Sequence, residues 1–83
     1  MNFYNYMMRN YRNAEEPKGD LARDMFEDRE RFPRNGRGKF DGWHRIIVNH
    51  LSRCGASEEC MEVFEAAWEE YVGCEKSRSR KKS

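Results

Sequence analysis

Eighty-three residues leave room for one domain, and a chain of that size buries only about 60% of the surface its unfolded form exposes. Leu, Ile, Val and Phe number just twelve, a share that often marks disorder, but the net charge is +1 and eleven residues are aromatic. The expected core is therefore built from rings and Met side chains, and a disordered or uniformly basic chain is excluded.

No stretch approaches the ~18 apolar residues of a membrane span, and the polar start "MNFYNYMMRNYR" has no signal-peptide core. A cytoplasmic protein with no membrane partner is expected. Cys54, Cys60 and Cys74 are odd in number and form no CxxC, so they read as reduced thiols rather than a disulfide framework. The near-zero net charge conceals segregation. Residues 29–53 carry seven basic and two acidic groups, residues 58–75 carry seven acidic and no basic groups, and residues 76–83 carry five basic and no acidic groups.

Phe3, Tyr6, Met7 and Tyr11 form one apolar stripe at helical spacing and predict a first helix over about residues 2–12. "NAEEPKGD" interrupts it, and Asp20 is the expected N-cap of a short second helix, 20–28, with Leu21, Ala22, Met25 and Phe26 facing inward. "RERFPRNGRGKF" is a basic connection, since Pro33 holds Phe32 away from helical geometry and two glycines follow. Phe40, Trp43, Ile47, Leu51 and Cys54 recur at three- and four-residue steps and predict a third helix over 40–54, closed by Gly55. Ser57 caps the fourth, with Glu58 and Glu59 in its first turn, and Met61, Phe64, Trp68 and Tyr71 carry its stripe to Gly73. "CEKSRSRKKS" lacks apolar periodicity and reads as a flexible basic tail, 74–83, behind a single domain, 1–73. The fold class is all-α: a compact bundle of four to five short helices, the last one longest, with an extra turn allowed inside the loop.

The rings of "VFEAAWEEY" would serve equally as a binding stripe or as core, and the scarcity of other apolar residues favours core. The expected core is Phe3, Met7, Phe26, Phe32, Trp43, Ile47, Leu51, Phe64, Trp68 and Tyr71. His50 and Cys54 lie four apart on one helix face and Cys60 follows a turn later. They fall short of the four paired donors of a structural zinc, His44 is off that face and Cys74 lies beyond the helix, so no metal or other cofactor is expected. No phosphate-binding loop, dinucleotide fingerprint or HExxH is present, and neither catalytic residues nor a small-molecule substrate are expected.

The remaining candidates are cationic. Arg29, Arg31, Arg34, Arg37 and Lys39 cluster in the loop, and Lys76, Arg78, Arg80, Lys81 and Lys82 in the tail. Such clusters bind phosphates in a salt-sensitive, sequence-independent way. They also suit an acidic protein face, and the outer side of the fourth helix is one, so contact with a second copy or another protein is the leading expectation. Sequence-independent nucleic-acid binding through the loop, 29–39, and the tail, 76–82, is the alternative function, and pairing of the same charges within one molecule would require neither.

Three motifs in order, "NFYNYMMRNYR", "FEDRERFP" and "MEVFEAAWEEY", make residues 2–72 resemble the small bacterial YozE-like family. The resemblance implies a fold similar to the sterile alpha motif, a type used in protein interaction, self-association and nucleic-acid binding, in a family of uncharacterised function. It marks Phe3, Tyr4, Phe26, Asp28, Phe32, Pro33, Phe64, Trp68 and Tyr71 as fold determinants, with Asp28 expected to brace the loop by accepting backbone N–H bonds. The glycine-rich basic loop and the basic tail depart from the family pattern.

Overall fold

The structure, a computed structural model, describes the backbone of residues 1–80 and side chains through Ser77. Lys81 and Lys82, and the side chains of Arg78 and Arg80, lie outside the described residues. Four helices follow one another: α1 (Phe3–Tyr11), α2 (Pro17–Glu27), α3 (Phe40–Arg53) and α4 (Glu58–Arg80). No strand occurs among the described residues.

Helix α1 starts at Asn2, whose Oδ1 accepts the Asn5 N–H at 2.7 Å. Helix α2 starts three residues before the expected Asp20. Pro17 opens it, because the first turn of a helix has no use for the missing N–H and proline's φ is already helical. Gly19 is not a breaker either. A Cβ at that position would sit 2.0 Å from the Ala14 carbonyl oxygen, so glycine is what lets the α1–α2 connection close over the helix.

The connection 28–39 opens with one hydrogen-bonded turn, in which the Asp28 carbonyl accepts the N–H groups of Arg31 and Phe32, both at 2.9 Å. The expected bracing by Asp28 is therefore supplied by its main chain, and its carboxylate points elsewhere. Gly38 and Lys39 then take left-handed backbone (φ +65° and +51°) to start α3. At its other end Cys54 is the C-cap and Gly55 (φ +81°) the left-handed residue after it. Gly55 N–H bonds to the Ser52 carbonyl and Ala56 N–H to the Leu51 carbonyl, both at 3.1 Å, a complete Schellman pair. Ser57 caps α4 by accepting the Cys60 N–H at 3.1 Å.

Helix α4 does not stop at Gly73 but continues to Arg80. The apolar stripe that marks a helix in sequence ends near Val72, and polar contacts carry the extension: Glu75 meets the Met1 amino group at 3.3 Å. The Lys76 ammonium lies 6.0 Å from the Phe40 ring centroid.

The core is a seam of rings between α1 and α4. Phe3 is fully buried, with Phe64, Trp68 and Tyr71 around it at centroid separations of 5.5, 5.2 and 5.6 Å, all edge-on. Phe64, Ala67, Trp68 and Tyr71, the stripe of "VFEAAWEEY", are all buried. Met7, Phe32, Ile47 and Leu51 are also buried, as are Tyr4, Tyr6, Leu21, Ala22 and Met25.

Two expected core residues are placed differently. Trp43 is only partly buried, packed against the margin of the core. Phe26 lies near the end of α2, where the inward stripe has been used by Leu21, Ala22 and Met25, and the Arg12 and Arg29 guanidinium groups cover its ring at 4.0 and 4.5 Å from the centroid.

Asn35, in the middle of the basic loop, is the buried polar residue of the core. Its Oδ1 accepts the Phe3 N–H at 2.8 Å and its Nδ2 donates to the Tyr71 hydroxyl at 2.9 Å, while that hydroxyl donates to the Met1 carbonyl at 2.7 Å. One loop side chain thus ties the start of α1 to α4. Burial pushes the Tyr71 hydroxyl above its usual range, keeping it a neutral donor.

Candidate functional site

Two features outside the core bear chemistry: the segregated surface charges, and a cluster where the C-terminal ends of α2 and α3 meet.

The loop cations divide into two groups. Arg29 lies on the Phe26 ring and donates to the Phe26 carbonyl at 3.0 Å. Arg34 lies 3.7 Å from the Tyr4 ring centroid and donates to the Arg29 carbonyl at 2.8 Å, so these two arginines hold the loop's shape. Arg31, Arg37 and Lys39 are exposed and make no ion pair among the described residues. Lys76 stands over Phe40, the residue after Lys39, so the extension of α4 brings a tail cation to the end of the loop.

On α4 the acids are used unevenly. Glu70 accepts from the hydroxyls of Tyr6 (2.7 Å) and Tyr11 and lies 3.3 Å from Lys18 Nζ. The Tyr11 and Tyr6 hydrogen bonds hold its carboxyl below the usual carboxylate range, and burial, with the hydrogen bond to Glu70 second, raises the Tyr6 hydroxyl in turn. Glu65 meets His44 Nε2 at 2.8 Å. Glu58, Glu59, Glu62 and Glu69 are exposed and make no ion pair among the described residues. The pairing within one molecule that the sequence allowed, loop cation to α4 acid, does not occur there.

The cluster consists of Asp28, His50 and Cys54. Asp28 is the C-cap of α2, Cys54 the C-cap of α3, and His50 lies one turn earlier on α3. His50 Nε2 is 2.6 Å from Asp28 Oδ2 and 3.7 Å from Cys54 Sγ, and that sulfur is 4.0 Å from the same carboxylate oxygen. Phe32 packs edge-on against the imidazole at a centroid distance of 5.5 Å and fixes its plane. Carboxylate and thiol meet the same ring nitrogen. A proton relay needs them on opposite nitrogens, so the cluster lacks the geometry of a thiol nucleophile with an oriented base. It is a convergence of three donors instead.

Asp28 and Cys54 also line a groove of about 420 Å³ with Leu21, Met25, Leu51 and Cys60. Cys60, the third donor that the sequence suggested, lines this groove but is not part of the three-atom convergence, and burial raises its thiol above the usual range. His44 is stacked on Phe64 and Cys74 is exposed.

Sequence spacing foreshadowed His50 and Cys54 as neighbours, whereas Asp28 joins them only through the fold. No helix among the described residues is long and apolar enough to cross a membrane.

A helical bundle with a long final helix and polar interhelical corners is the class these features define. The model of the family described as YozE SAM-like fold matches residues 2–73, and the chain belongs to that family. No curated protein and no solved structure matches it.

Proposed function

We propose that the protein is a non-enzymatic helical interaction module that binds a protein partner through its segregated charges, the simplest partner being a second copy. The observation that carries this reading is the absence of internal pairing between the loop and α4. Arg31, Arg37 and Lys39 on one side and Glu58, Glu59, Glu62 and Glu69 on the other are exposed without ion pairs among the described residues. A contact of loop on helix is heterologous: the joined pair keeps one free face of each sign, and the contact propagates. Its strength is expected to fall with salt, because exposed charges are screened over about 10 Å at 0.1 M.

Light scattering across a concentration series tests it. A mass that rises with concentration at low salt and returns to that of a single chain in an Arg31→Glu/Arg37→Glu variant supports the reading. A single-chain mass throughout contradicts it.

A second reading, sequence-independent nucleic-acid binding, is favoured by Lys76, which the α4 extension places beside the end of the basic loop. Its test is a short-duplex titration at two salt concentrations. Affinity that falls with salt and weakens in a Lys39→Gln/Lys76→Gln variant favours it, and undetectable binding at low salt removes it.

A further inference from the structure

We propose that Asp28 Oδ2, His50 Nε2 and Cys54 Sγ form a three-ligand site for a divalent transition-metal ion of zinc's type, with its fourth position open to the groove beside them. The three atoms lie within 4.8 Å of one another. Zinc bonds of about 2.3 Å to sulfur and 2.0–2.1 Å to nitrogen or oxygen give tetrahedral edges of ~3.6 Å from sulfur to either lighter donor and ~3.3 Å from nitrogen to oxygen. The sulfur edges, 3.7 and 4.0 Å, are close to that figure already. The third, 2.6 Å, is a hydrogen bond, and opening it by less than an ångström completes one face of a tetrahedron.

Donor chemistry and placement agree. A thiolate with an imidazole selects zinc, cobalt or a similar ion over magnesium or calcium, which take oxygen. The thiol proton leaves to solvent when the sulfur binds. Asp28 and Cys54 are each the C-cap of a helix, so the negative ends of two helix dipoles converge where the cation would sit. Convergence on one imidazole nitrogen, which rules against a proton relay, is what a shared ion requires. The side of the site facing Leu21, Met25 and Leu51 is left for water or a small exogenous donor.

The test uses the full chain and cobalt(II). One equivalent is expected to bind with the visible ligand-field bands of a four-coordinate site and a near-ultraviolet sulfur-to-cobalt charge-transfer band, and zinc is expected to displace it. Cys54 is exposed, so Cys54→Ser tests the site without burdening the fold, and it is expected to abolish the sulfur band. His50→Ala is expected to weaken binding by more than ~10-fold, since even groups behind the ligands typically contribute 10- to 100-fold. A Cys60→Ser/Cys74→Ser variant is expected to retain the spectrum, and far-ultraviolet circular dichroism checks that each variant is folded. Absence of saturable binding, half an equivalent per chain, or a sulfur band that survives Cys54→Ser would overturn the assignment.

Discussion

The α1–α4 seam and the α2–α3 corner are built from opposite materials. In the seam, Phe3, Phe64, Trp68 and Tyr71 pack ring against ring, and the polar atoms that enter it, those of Asn35 and the Tyr71 hydroxyl, are hydrogen-bonded. At the corner, a carboxylate, an imidazole and a thiol stand together beside an open groove, held by Phe32 on one side. A hydrophilic chain with few aliphatic residues has concentrated its stability in one place. The other is free to carry chemistry that contributes little to folding.

The largest expected break in that comparison is Trp68→Ala, which should cost about 3–5 kcal/mol in denaturant unfolding, the range for a large buried ring, whereas Cys54→Ser should cost less than about 0.5 kcal/mol. Equal costs would erase the distinction. Next is Asn35→Ala, which leaves the Phe3 N–H without its partner and should cost about 1–3 kcal/mol although its site is a loop. Gly73→Ala works in the opposite direction. Gly73 sits inside α4 and an added Cβ there meets nothing, so the substitution should stabilise by about 0.5–1 kcal/mol, and a loss would mean that α4 ends sooner.

The smallest effect concerns pH. Glu70's carboxyl is held below its usual range, so its stabilisation is present above the unfolded value of about 4.3 and is lost as pH falls through the lower folded value. Tyr6, raised in the folded state, contributes stability that is present below about 10 and is lost as pH rises toward its folded value. Glu70→Gln should therefore flatten the acid limb of a stability profile. Glu70 is well exposed, so the change near neutral pH should be at most about 0.5 kcal/mol.

Much of the fold was legible because periodicity reports burial directly. The stripes of α1, α3 and α4 name most of the residues that turn out buried, and Gly55 ends α3 where a left-handed residue belongs. Punctuation residues misled where their role depends on context. Pro17 opens a helix, Gly19 permits a close approach, and Gly73 is passed through because Glu75 and Lys76 find partners elsewhere on the molecule. Asn35 before Gly36 has the look of an ordinary turn, and nothing local announces that its amide reaches Phe3 and Tyr71. At the corner, the i, i+4 spacing of His50 and Cys54 was visible in the chain. The third donor was not, because Asp28 stands 22 residues from His50 and meets it only once α2 and α3 are placed.

The interaction reading makes its most direct demand on a pair of charge-reversed chains. An Arg31→Glu/Arg37→Glu chain has a loop without net positive charge and an acidic α4, and a Glu62→Lys/Glu69→Lys chain has a basic loop and a less acidic α4. Light scattering should find each alone as single chains at low salt, and their mixture as one-to-one pairs that salt disperses. Single-chain mass in the mixture, or assembly by either variant alone, would contradict loop-to-helix association.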